Sequence, residues 1–262
     1  KDNLPAAERR TQVDMLMLTD KTINMPSRYK VYHSSYNELS ALEAFTKVPS
    51  GSKYKTVKVT ETKTTTSTDN SIFYDDMKET TFDFPALTQN AIAHVEYTQL
   101  NKDAHLLTAF YLPSYMPIVN ASYTVTVPNE ITIKYIVKNA AEDFFTFTTD
   151  KKRKETVYRW TLKNYKSVDN FGNAPDSRYF QPHIIVYVTS FEGNDGPQPF
   201  LNTLNDLYKW NYSFLKDLNN SEDPAMRKIV DSITNGVKDE SSKAKKIYAW
   251  VQQHIKYVAF ED

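Results

Sequence analysis

The chain has 262 residues, 32 basic and 32 acidic side chains, 13% aromatic residues and no cysteine. Zero net charge lacks the concentrated positive field that displaces counterions from phosphates, so nucleic acid is not an expected partner. The missing thiol excludes disulfides, thiolate zinc sites, iron–sulfur clusters and a cysteine nucleophile within these residues.

No apolar run approaches the ~20 residues that carry a helix across a bilayer, so no transmembrane segment is expected. No signal peptide is legible. A start at Lys1 rather than Met reads as processing or as a cut within a longer polypeptide.

Residues 1–28 are polar apart from an apolar patch at 15–18. From Tyr29 the period shortens: Tyr29, Val31 and His33 alternate with Lys30 and Tyr32, as in a strand. Residues 37–44 read as a short helix, and Pro49-Ser50-Gly51 as a turn. The Thr/Lys-rich stretch 54–68 reads as one strand with a wet face, closed by Asp69-Asn70. Strands are then expected over 79–84, 91–100, 108–112, 122–127, 131–137, 144–148, 156–162 and 184–189. Pro85, Asn101, Pro117, Pro128-Asn129 and Asn170 are among the residues that punctuate them. Short strands at this spacing predict a mainly β chain, with a β-sandwich-like accessory domain over 1–194.

The texture changes after the loop 192–196. Pro199 is expected at a first helical position, with Phe200, Leu204, Leu207, Phe214, Leu215 and Leu218 following at helical spacing. Asp223-Pro224 reads as an N-cap and first residue, Met226, Ile229, Val230 and Ile233 as one stripe, and Asn235-Gly236 as the stop. Ser241 or Ser242 then opens a helix bearing Ala244, Ile247, Tyr248, Val251 and Ile255 on one face. Residues 195–262 are thus a small helical segment.

Candidate chemistry is sparse. His94 and Glu96 share a strand face, but a zinc site needs three or four ligands, and no metal is expected. The run Glu192-Gly193-Asn194-Asp195-Gly196 lacks the spacing and closing Glu of a calcium loop. Asp75-Asp76, Glu142-Asp143 and Glu261-Asp262 read as solvated turns rather than a glycosidase pair. No Gly-x-Ser-x-Gly elbow is present. No catalytic residue and no cofactor are expected. The aromatic residues mostly suit a core; Tyr111, Tyr115, Tyr165 and Tyr179 are the candidates for an exposed glycan- or peptide-binding face.

Near the end, Ile247-Tyr248-Ala249-Trp250-Val251 follows a Lys/Ala-rich turn and leads to Ile255-Lys256-Tyr257. This run resembles the opening helix of a bacterial transglutaminase-like domain. Glu43-Ala44-Phe45-Thr46-Lys47-Val48-Pro49-Ser50-Gly51, Thr81-Phe82-Asp83-Phe84-Pro85-Ala86-Leu87, and Pro117-Ile118-Val119 leading to Val125-Thr126-Val127-Pro128 resemble the domain of unknown function that often precedes it. Gln89-Asn90 stands where a Gly-Asp-like turn would be expected. The resemblance implies a papain-like Cys-His-Asp enzyme downstream in the same polypeptide, none of whose triad falls on this chain; His254 is not in a catalytic motif position. It implies a non-catalytic accessory or substrate-positioning role and a periplasmic or secreted, cell-envelope location. The alternatives are a carbohydrate- or peptide-binding β-sandwich module and a hydrolase using paired carboxylates.

Overall fold

The computed structural model describes residues 4–19, 28–66, 76–112, 116–166, 175–218 and 223–255. Among these the chain is mainly β, with four antiparallel sheets followed by three helices. The first sheet runs β1 (Ala7–Leu16), β7 (Ile92–Asn101), β3 (Asn37–Ser50), β4 (Lys53–Lys58). The second runs β2 (Arg28–His33), β6 (Lys78–Asp83), β5 (Lys63–Thr66). Alternate residues of each turn inward, as the pleat requires. Met15, Met17, Ala44, Ala91, Ala93 and Val95 thus meet Val31, Phe82 and Phe84 in one core.

The third sheet runs β10 (Ile131–Lys138), β13 (His183–Gly193), β14 (Gly196–Pro199), with β8 (Phe110–Tyr111) also paired to β13. The fourth runs β11 (Thr146–Lys151), β12 (Glu155–Tyr165), β9 (Ile118–Pro128). Leu112, Phe145, Trp160, Ile184 and Val186 form their shared core. Trp160 is 2% exposed, with Tyr123 stacked at 5.7 Å and Tyr135 edge-on at 5.0 Å. Enclosing a side chain of this size stabilises by on the order of 3 kcal/mol, and ring pairs add about 0.5–1.5 kcal/mol each. The two sheet pairs are tied together: Arg9 Nη1 donates to Thr108 Oγ1 at 2.9 Å, and Ala104 N–H to Pro5 O at 3.0 Å.

Several elements differ from the sequence pattern. Residues 37–44 belong to β3, not to a helix. A bulge between Leu39 and Ala41 shifts the alternation by one, so Leu39 and Leu42 reach the same core from a spacing of three. That spacing imitates a helix, and pairing with β7 along this stretch overrides the local propensity. The Thr/Lys stretch is two strands: β4 closes the first sheet, the chain leaves it after Val59 N–H reaches Ala44 O, and β5 joins the second. The polar opening stretch contains β1, whose Val13 and Met15 turn inward, with Met17 just beyond it in the same core. Pro199 ends β14 instead of opening a helix.

The loop at 192–196 is the β13–β14 hairpin, with Gly193 opposite Gly196 and Gly196 at φ +96°. The chain keeps feeding this sheet beyond it, and Phe200 enters a small core with Ala104 and Val188. The division into two compact units accordingly falls between Leu207 and Tyr208.

Three helices follow: α1 (Leu204–Ser213), α2 (Pro224–Thr234) and α3 (Glu240–His254). Thr203 and Asp206 form a reciprocal cap on α1: Thr203 N–H donates to Asp206 Oδ2 at 2.8 Å, and Asp206 N–H to Thr203 Oγ1 at 3.3 Å. Asp223 accepts from Ala225 N–H, with Pro224 first in α2, and Gly236 follows at φ +75°. Asp239, not Ser241 or Ser242, caps α3 by accepting from Ser242 N–H at 2.8 Å. α2 packs against α3.

On the second sheet, His33 Nε2 lies 2.9 Å from Thr80 Oγ1, which lies 2.8 Å from Thr64 Oγ1. Burial, then the charge of Lys78, lowers the His33 pKa from its ordinary 6.5. The unfolded chain therefore takes up this proton more readily than the folded one. His33 contributes full stability above about pH 6.5 and loses it as pH falls from there to its lower folded value. Melting temperature should fall more between about pH 7.5 and 5.5 in the native chain than in His33→Gln, and equal slopes would refute this account.

Candidate functional site

β8 is short, but it sets one aromatic ring on another. Tyr111 lies opposite His183 in the register and stacks on its imidazole at 4.8 Å. His183 is buried, and its Nδ1 lies 2.9 Å from Gln181 O. A carbonyl can only accept, so Nδ1 carries a proton. Before β13 the chain makes a 3₁₀ turn, Ser177–Tyr179. Asp176 builds it by accepting from Arg178 N–H at 2.9 Å and from the Arg178 guanidinium at 3.0 Å. The hydrogen bonds from Arg178 hold the Asp176 carboxyl below its usual range, and Asp176 raises the guanidinium in return.

Asn139, just past β10, clamps this turn. Its Nδ2 donates to both Arg178 O and Gln181 O at 3.1 Å. Its backbone sits at φ 55°, a region that Asn tolerates better than most residues. The clamped turn presents Tyr179 at 71% exposure and Phe180 at 42%, next to Arg178 in the chain. Tyr111 is itself 42% exposed. Exposed rings with a guanidinium–carboxylate pair close by in the chain offer stacking faces and hydrogen-bonding groups.

Of the four tyrosines predicted from sequence, Tyr111 and Tyr179 are exposed. Tyr165 is half-buried and packs edge-on against Phe144 at 5.8 Å, within the second core; burial raises its phenol pKa. Tyr115 lies outside the described residues. Arg178, Asp176, His183 and Asn139 escape sequence reasoning. The Asp-x-Arg spacing is a legible turn signal, whereas the clamp from Asn139 joins residues 39 and 42 apart.

The other candidates resolve into structural roles. His94 Nδ1 donates to Asp14 Oδ1 at 2.8 Å under the stacked Phe45 ring, while Glu96 pairs with Arg10 at 2.7 Å. His105 Nδ1 lies 2.6 Å from Asp103 Oδ1, with its ring stacked on Phe200. Among the described residues no group of three His, Asp or Glu gathers as a metal site. Asp76 accepts from Ser35 N–H at 2.9 Å. Glu142 and Asp143 are exposed in a turn; Asp75, Glu261 and Asp262 lie outside the described residues. A shallow depression on the β11–β12 hairpin is lined by Thr148, Asp150, Lys152, Val157 and Arg159, away from the tyrosine platform's residues.

Paired antiparallel sheets ahead of a helical segment define the class, a mainly β domain with helices appended. Residues 6–169 match the family described as a domain of unknown function with a solved structure, DUF3857, and the chain belongs to that family. A crystal structure of a putative protease from Parabacteroides distasonis shares the fold at a TM-score of 0.67 and 14% identity. The similarity takes in 95% of this chain and 47% of that one, so the chain spans about half the length of the solved structure. No curated protein matches. Asn90 takes φ 63° in the turn before β7, a conformation that Asn tolerates, so Gln89-Asn90 makes this turn without a glycine.

Tyr179→Ala should change unfolding free energy by no more than about 0.5 kcal/mol, because the ring is exposed. Asn139→Ala should cost about 1–3 kcal/mol, because it removes two hydrogen bonds and places Ala at positive φ. Urea unfolding of both variants checks the contrast, and equal effects would refute the clamp.

Proposed function

We propose that this chain is the non-catalytic, substrate-positioning region of a bacterial transglutaminase-like protein, and that its partner is a cysteine-enzyme domain downstream in the same polypeptide. The observation that carries the reading is the state of the helices. None of α1, α2 or α3 contains a buried residue. Tyr208, Tyr212, Met226, Tyr248, Val251 and Ile255 are all exposed. Of the stripe expected on α3, only Ile247 is half-buried, together with Trp250. Apolar helical faces of this kind need a covering surface, since short helices are marginal alone.

The double length of the similar structure supports the same reading, as does the α3 sequence motif. The sheets would position substrate, and the downstream domain would supply the thiolate, favoured by a helix N-terminus and a nearby His. A cell-envelope location, periplasmic or secreted, belongs to this proposal. Among the described residues no helix is long and apolar enough to cross a membrane.

A polypeptide extended beyond Asp262 should protect α2 and α3 amides from hydrogen exchange and show activity abolished by thiol alkylation; the 262-residue chain should show neither. Unchanged exchange, or a continuation without Cys and His, overturns the proposal.

A second reading is favoured by the exposed Tyr179 platform: a carbohydrate-binding module whose rings stack on the apolar face of a sugar. A glycan screen of the native chain should then yield hits that weaken about tenfold or more in Tyr179→Ala, in line with ring contacts worth upward of 1 kcal/mol. No hits, or hits indifferent to the change, would exclude this second reading.

A further inference from the structure

β10 is the margin of the third sheet. β13 pairs with one side of it, and among the described residues no strand pairs with the other. Such a margin offers a row of free backbone N–H and C=O groups. Its side chains are unusually apolar for an open edge: Tyr135, Ile136 and Val137 are 39%, 39% and 38% exposed. Tyr135 turns inward and meets Phe147 of β11 at 5.2 Å. Phe147 is also 39% exposed, so the apolar lip continues onto the fourth sheet, with buried Trp160 behind it.

Lys134 and Lys138 bracket the exposed run on the outer face, with Ile136 between them. Neither has a carboxylate partner among the described residues.

We propose that this margin binds an extended peptide segment by strand addition, and that the segment reads acidic–apolar–apolar–apolar–acidic. Its backbone pairs with the free edge of β10. Its central residue covers Ile136, and the apolar residues on either side cover Tyr135 and Val137. Its two carboxylates stand opposite Lys134 and Lys138. The charges also disfavour the one register in which a second copy of this chain would cover the whole apolar run. Antiparallel pairing of two β10 strands about Ile136 sets Lys134 opposite Lys138 twice, and like charges directly opposite are destabilising. A one-residue slip would turn Tyr135 and Val137 away from the lip. The inference holds independently of any downstream domain and of the tyrosine platform.

The test is fluorescence anisotropy with a labelled heptapeptide carrying Glu at its second and sixth positions and three Val between. The control peptide carries Lys at the same two positions. The native chain should bind the Glu peptide about tenfold more tightly, the scale expected from two cross-strand charge pairs reversed in sign. The double variant Lys134→Glu, Lys138→Glu changes exposed side chains only, and should reverse the preference while its melting curve stays native-like. Slowed hydrogen exchange at β10 amides should accompany binding. Absence of binding by either peptide, equal binding of both, or a preference that survives the charge reversal overturns the proposal. So does a concentration-dependent dimer in light scattering that competes with the Glu peptide.

Discussion

Ala91, Ala93 and Val95 are wholly enclosed, and the first sheet is built outward from them. β7 is paired along nearly its whole length on both sides, with β1 and with β3, and residues of the opposing sheet cover its inward face. Small residues there let Phe82 and Phe84 of the opposing face come close and fill the space. The outer side chains of the same strands are then free to be polar. They form a cross-strand lattice instead: Asp14 with His94, Arg10 with Glu96, Glu43 with Lys58. Exposed pairs of this kind contribute little each. What they supply is charge pairing on a surface that would otherwise carry unpaired side chains.

The second sheet pair uses larger residues for the same purpose. Trp160 is ringed by Tyr123, Tyr135, Phe147 and Tyr158, so aromatic area does what small-residue proximity does in the first core. The packing is asymmetric. Toward β9 the rings close over with Phe110 stacked on Tyr123 at 4.7 Å; toward β10 and β11 the lip stays open. A sandwich with one closed and one open side has a direction, and the open side is where added chain can extend it.

The tyrosine platform and the helical faces pose opposite problems. The turn that bears Tyr179 is held by defined hydrogen bonds, donated by Asn139 to its backbone and accepted by Asp176 from Arg178 N–H, so the exposure of Tyr179 is a built state of the backbone. The helices have good caps and an α2–α3 contact, yet no enclosed residue. Local signals have made the helices; the stabilising surface is missing from among the described residues.

Much of this was legible in the sequence because it depends on neighbours a few residues away. Alternation marked most strands, Gly51 and the Asn194-Asp195 hairpin marked turns, and Asp223-Pro224 with Gly236 bounded α2. Aromatic density nominated Tyr111, Tyr115, Tyr165 and Tyr179 as candidates without telling which of them would be exposed. Only tertiary structure decided the rest, since it depends on residues far apart in sequence. The bulge at Leu39–Ala41 gives a strand the spacing of a helix, and pairing with β7 settles the ambiguity. The split of β4 from β5 needs two sheets to exist before it has meaning. Tyr165 turned into a core while Tyr179 stayed out, because Phe144 stands against the one and Asn139 props up the turn that bears the other. Sequence specifies a period and a cap locally; which face is covered depends on what the folded chain brings opposite it.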